Sequence, residues 1–128
     1  YLFLTKRPER LNIHTDLDNL WFGVTVTCAE ERNRIEILKR RVKAKHYHTT
    51  FEPLSDEVGK VDLNDIGWVV VGTETGNCKG KIPTKKNWAE GLAEQARAMG
   101  IPVFMKEDLF GILNEKEMIQ QFPEEFGL

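Results

Sequence analysis

The sequence predicts an α/β domain of repeated strand–helix units around a parallel sheet, on three observations. Five short apolar runs recur along the 128 residues, each closed by polar or glycine-containing punctuation. Runs of that length, rich in β-branched and aromatic residues, read as buried strands. Amphipathic stretches with helical spacing lie between the second and third runs and between the fourth and fifth. Strand and helix alternating at this distance build βαβ units, whose strands are parallel and whose crossovers share one hand. That hand allows two architectures, a doubly wound sheet or part of a (βα) barrel.

The elements follow in order. The first strand covers residues 1–4 and stops at Thr5-Lys6-Arg7-Pro8; residues 7–13 are expected to make a brief helix. The second strand covers 21–26, with the β-formers Val24, Thr25 and Val26. A helix over 29–43 opens with Glu30 and Glu31 and closes with Lys39, Arg40, Arg41 and Lys43, which complements the helix dipole; Ile35, Leu38 and Val42 form its apolar stripe. The third strand, 47–51, ends at Glu52-Pro53, and 53–66 reads as a loop with a turn or two. The fourth, 68–71, is a continuous buried run stopped by Gly72. The clearest helix spans 85–99, with Thr84 as its N-cap, Gly100 as a left-handed stop and Pro102 beyond it. The fifth strand is 103–105. The tail, 110–128, is expected to cap the fold with a small helix around 115–121, closed by Phe122-Pro123.

Composition narrows the function classes. Hydrophobic content of 41% is enough for a core, and a net charge of −2 is unlike a dedicated nucleic-acid binder. No apolar run approaches the ~20 residues of a membrane span. Two widely spaced cysteines, Cys28 and Cys78, make neither a metal motif nor a disulfide scaffold, and point to a reducing cytoplasm. The chain opens on Tyr1 inside a strand, which reads as the later part of a longer domain.

In parallel α/β folds ligands bind beyond the carboxyl ends of the strands. Those ends carry Thr5, Lys6 and Arg7, then Thr25, then Glu52, then Gly72, Thr73 and Glu74, then Lys106. Glu52, Glu74 and Lys106 are the catalytic candidates, and Thr5, Lys6, Arg7, Thr25, Gly72 and Thr73 the binding candidates. Pro53 restricts Glu52 to extended geometry, and Thr50, His48 and His46 share its face. A polar row in a buried strand suggests a wet cavity or barrel interior; the alternative is an edge strand whose polar face meets water. His46 and His48 lack a matched third ligand, so no metal is expected. The segment 72–76 is not a phosphate loop, because Gly80-Lys81 is followed by Ile82. Instead Gly72 would let a ligand approach the backbone, and Glu74 would accept hydrogen bonds from it. Lys6, Arg7 and Lys106 suit a carboxylate or phosphate. The basic stretch 32–48 is explained by the helix dipole, with nucleic-acid contact as its second reading.

Five segments in this order, Tyr-Leu-Phe-Leu-Thr-Lys-Arg-Pro-Glu-Arg-Leu (1–11), Trp-Phe-Gly-Val-Thr-Val (21–26), Phe-Glu-Pro-Leu (51–54), Trp-Val-Val-Val-Gly-Thr-Glu-Thr-Gly (68–76) and Val-Phe-Met-Lys (103–106), resemble the later strands of a phage-type family. That family is named after phage gene product 37, also 68, and is uncharacterised. It is similar to radical S-adenosylmethionine enzymes. The resemblance implies the C-terminal part of a partial (βα) TIM-type barrel of about five strands. It also implies S-adenosylmethionine and a [4Fe–4S] cluster for the intact protein, held by an upstream three-cysteine motif that this sequence lacks, so neither is expected on this chain alone. Asn77-Cys78-Lys79-Gly80-Lys81 stands where the family tends to have Pro and Arg.

Three functions are therefore weighed. The first is a radical S-adenosylmethionine-type barrel of unknown small-molecule substrate, inactive as this piece. The second is a cluster-free module binding an anionic small molecule or nucleotide, and the third a nucleic-acid-processing protein. A half barrel would also leave two open sheet edges, which predicts self-association.

Overall fold

The computed structural model describes residues 1–74 and 80–127. Five strands, β1 (Leu2–Thr5), β3 (Trp21–Thr25), β5 (His46–Phe51), β6 (Ile66–Val71) and β7 (Val103–Met105), form one sheet in the order β1-β3-β5-β6-β7. Every pair is parallel. The order follows the chain and never reverses, which rules out a doubly wound sheet, since that winding needs a switch point. The sheet stays open, with β1 and β7 as its edges. A two-residue pair, β2 (Ile13–His14) with β4 (Val42–Lys43), stands apart.

Both helices cover one face. α1 (Asn33–Arg41) contributes Ile35 and Leu38, and α2 (Lys86–Ala98) contributes Ala89, Leu92, Ala93 and Ala96, to a core with Phe22, Val24, Tyr47, Phe51, Val69, Val71, Val103 and Met105. Burying Leu92 alone is worth about 2 kcal/mol, so an Asp there would break the α2 contact. The connection from Glu52 to Asp65 forms no helix; it inserts Leu54, Val58, Val61 and Leu63 into the same core in place of one.

Helix ends follow local chemistry. α2 ends in a Schellman motif: Gly100 sits at φ +71°, its N–H bonds Arg97 C=O at 3.0 Å, and Ile101 N–H bonds Ala96 C=O at 2.9 Å. The predicted N-cap differs. Lys85 occupies that position, because the Thr84 hydroxyl donates instead to Leu54 C=O at 2.7 Å. The expected helix over 29–43 is shorter, a 3₁₀ turn (Ala29–Glu31) followed by α1, since Val42 turns extended to pair with β2. The brief helix after β1 is a 3₁₀ turn at Pro8–Arg10.

The tail departs from expectation. Residues 115–121 form no helix; Asn114 Oδ1 accepts from the Lys116 and Glu117 amides and closes a turn. The chain then runs antiparallel beside β7 through a bridge of Gln120 to Phe104. Met105 N–H bonds Ile119 C=O at 2.7 Å and Gln121 N–H bonds Val103 C=O at 2.8 Å. The β7 edge is therefore paired, and among the described residues no segment pairs with the outer edge of β1. The expectation of two open edges is corrected at β7.

Candidate functional site

The helix-free face is read from the register. Trp21, Gly23 and Thr25 of β3 pair with His46, His48 and Thr50 of β5, and His48 and Thr50 pair with Trp68 and Val70 of β6. The row 46, 48, 50 therefore lies on a central strand, and the edge-strand alternative falls. Thr25, His48 and Thr50 are buried.

This face has two halves. Towards the amino ends of the strands it is filled with rings. Trp21 stacks on His46 at 4.5 Å between centroids, and Phe126 meets Trp21 at 5.1 Å and Trp68 at 5.2 Å, both edge-on. Trp68 Nε1–H donates to Gln121 C=O at 2.9 Å, so the tail plugs this half. Towards the carboxyl ends the residues are polar. Thr25 and Thr50 lie side by side, and among the described residues neither hydroxyl has a hydrogen-bond partner.

Above them is the Glu52–Lys106 pair. Lys106 Nζ lies 2.9 Å from Glu52 Oε1 and 2.5 Å from Oε2, with side chains 43% and 28% exposed. Glu52 follows β5 and Lys106 follows β7, so the bridge must cross the end of β6. Gly72 allows it: a Cβ there would stand 3.0 Å from both Glu52 Cγ and Cδ. The space a side chain would take at Gly72 is thus occupied by the chain's own Glu52. The same device recurs lower on the face. The His48 ring lies flat over Gly23, and the Trp21 ring over Gly67.

His48 is the one described residue with a fully buried, unpartnered polar side-chain atom, Nδ1. Its Nε2 is 3.1 Å from Phe3 C=O, and since a carbonyl only accepts, Nε2 carries the proton. Burial holds its pKa below the ordinary 6.5, although the Phe3 carbonyl favours the charged form. His46 and His48 do not converge on a common point as metal ligands; one stacks on Trp21, the other is spent on Phe3.

The remaining predicted residues divide. Thr73 turns inward: its N–H bonds Asp108 Oδ1 at 3.2 Å and its hydroxyl accepts from Thr84 N–H at 3.0 Å. With Thr84 on Leu54 it staples three loops together, a structural role for the Thr73 hydroxyl that the sequence reading did not include. Glu74 Oε2 accepts from Ile82 N–H at 3.3 Å. Thr5 Oγ1 accepts from Arg7 N–H at 2.9 Å, closing the turn after β1, and Arg7 lies 3.8 Å from Glu9. Lys6 is exposed at the end of β1, two strands away from Glu52. Thr75, Gly76 and Cys78 lie outside the described residues.

Sequence reasoning missed Thr50 as a site residue and Asp108 as the anchor of Thr73. Pairing strand ends in register would have set Thr50 beside Thr25. Arg34 was missed as well: it donates to Thr25 C=O at 2.7 Å and pairs with Glu31. Burial pushes the Glu31 carboxyl up, but hydrogen bonds from Thr27 and the Arg34 charge outweigh it and leave the pKa below the usual range. The basic stretch is mostly spoken for: Arg32 donates to Lys60 C=O, Lys39 to Asn64 C=O and Arg41 to Glu9 C=O.

Among the described residues no group of three His, Cys, Asp or Glu side chains could hold a metal, and no helix is long and apolar enough to cross a membrane. No curated protein and no solved structure matches the chain. A family model does, described as "Protein of unknown function (DUF5131)", over residues 1–127.

Proposed function

We propose, for a chain that belongs to this family of unknown function, that the carboxyl-end half of its helix-free face binds a small molecule carrying both an amine and an acid group. The observation that carries the reading is the Glu52–Lys106 pair, bridged over Gly72 and still open to water. A bidentate carboxylate–ammonium contact at this exposure is worth about 0–1 kcal/mol, so a ligand can exchange it for two contacts of its own. Its amine would take Glu52 and its carboxylate or phosphate Lys106, while the free hydroxyls of Thr25 and Thr50 below would hold polar atoms. The paired aromatic half gives such a site a dry floor.

The competing reading is a staple that only ties the ends of β5 and β7. Titration calorimetry of the full chain with S-adenosylmethionine, methionine and adenosine monophosphate separates them. A saturable heat with one probe, lost in Glu52→Gln and in Lys106→Met, supports binding. Heats that are absent, or that survive both substitutions, sink it.

Radical S-adenosylmethionine chemistry is a second reading. It is favoured by one-sided helix packing with unreversed strand order, which leaves the carboxyl-end half of the other face free of helices and tail. The described residues do not fit an iron–sulfur cluster, so its ligands would have to come from outside them. Cytoplasmic residence is part of the same proposal and rests on the free thiol of Cys28. Nucleic-acid processing draws the least support, because Lys39 and Arg41 of α1 are spent on the carbonyls of Asn64 and Glu9, and Arg34 on Thr25 C=O and Glu31.

A further inference from the structure

We infer that Thr73, Thr84 and Asp108 are positioning residues for the Glu52–Lys106 pair: a relay of hydrogen bonds through them sets how far apart the two side chains stand. The use of that spacing rests on the ligand site proposed above, whereas the spacing itself is a property of the ligand-free chain.

Glu52, Gly72 and Lys106 are the first residues after β5, β6 and β7. Just beyond each of them the chain is tied to its neighbour. Asp108, which follows Lys106 by two residues, accepts from Thr73 N–H at 3.2 Å. Thr73, next to Gly72, accepts at its hydroxyl from Thr84 N–H at 3.0 Å. The Thr84 hydroxyl donates to the carbonyl of Leu54 at 2.7 Å, and Leu54 follows Glu52 by two residues. Leu54 N–H returns to Gly72 C=O at 2.8 Å. The relay therefore runs over the same three strand ends as the ion pair. It passes on the helix side, through Thr84 just ahead of α2, while the pair crosses on the helix-free face. Together they close a ring around the end of β6.

Burial decides which half of the ring controls the other. Thr73 and Thr84 are 8% and 3% exposed, against 28% and 43% for the side chains of Glu52 and Lys106. A carboxylate–ammonium contact open to water is weak and yields to solvent. A buried hydrogen bond resists opening, because the group it abandons stays desolvated. Leu54 and Leu109, at the two ends of the relay, are fully buried in the core, so neither end is free to drift. The relay is the rigid member, and the pair takes its spacing from it. Threonine suits both positions, since β-branching restricts χ1 and holds each hydroxyl in place. Serine could make the same bonds with a freer side chain. Valine would keep the shape and lose the polar group.

Crystal structures of ligand-free variants of the full chain test this. Thr84→Val keeps the amide bond to Thr73 but leaves Leu54 C=O without its donor. Asp108→Ala releases the other end and leaves Thr84 in place, so it carries the test if the buried variant does not fold. In each, the Lys106–Glu52 contact should open beyond about 4 Å, the limit of an ion pair, while Thr84→Ser keeps it. Calorimetry with S-adenosylmethionine, methionine and adenosine monophosphate gives the second readout. The probe that binds the parent should bind Thr84→Val at least about tenfold more weakly, and Thr84→Ser as it binds the parent. A staple with no positioning role predicts a lower Tm for Thr84→Val with contact and affinity unchanged, and that result overturns the inference. So does a Thr84→Ser protein that loses the contact as fully as Thr84→Val. An opened contact in a chain that binds none of the probes upholds the positioning and counts against the ligand reading alone.

Discussion

Replacing Gly23 by alanine should destabilise the protein far more than a surface methyl group does. The added Cβ would stand 2.3 Å from His48 Cε1, 2.4 Å from Nε2 and 2.5 Å from Nδ1, about an ångström inside ordinary contact. The ring has little room to yield. His48 is 4% exposed, and Trp68 lies beside it at 6.4 Å between centroids. Overpacking of this kind costs roughly 1–3 kcal/mol. If the ring leaves, its hydrogen bond to Phe3 C=O goes with it, for about 1 kcal/mol more. The expected loss is roughly 2–4 kcal/mol, or on the order of 10 °C in Tm for a chain of this length. Urea denaturation followed by circular dichroism measures it. His48→Ala removes the ring that the methyl group strikes, so the double variant should recover at least about 1 kcal/mol relative to the sum of the singles. A Gly23→Ala protein with the parent's midpoint, or a double variant that is merely additive, refutes the reasoning.

Three further outcomes follow from the same geometry. His48 is held neutral, so the unfolded chain binds the extra proton: stability is full above pH 6.5 and falls as pH drops below it, and His48→Gln should flatten that limb of a pH–stability curve. Phe126→Ala removes ring contacts to Trp21 and Trp68 and should cost about 1–2 kcal/mol, with Trp fluorescence shifting red as water enters the plugged half. Gly72→Ala should displace Glu52 from Lys106 while costing less than about 1 kcal/mol of stability; crystallography of the variant shows the displacement, and an unmoved carboxylate would mean the glycine is not what admits it.

The sequence by itself determined the five parallel strands, the two helices between them, the glycine stop of α2 and the polar strand ends. These are written in local patterns: runs such as Trp68 to Val71 have no helical period, and Gly100 with Pro102 ends a helix wherever it lies. It also brought Glu52 and Lys106 into one candidate set, because strand ends share a rim in any parallel sheet. Tertiary structure alone decided what each residue does there. Gly72 looked like ligand access, yet it lies under Glu52, just as Gly23 lies under His48 and Gly67 under Trp21, relations between residues up to 46 apart that no local pattern records. Thr73 and Thr84 look like a binding hydroxyl and a helix cap, but loop packing offered them better partners. The tail carries a helix-like composition and still runs extended, because β7 presented unpaired carbonyls and amides, and satisfying them outweighed a short helix with no face to bury.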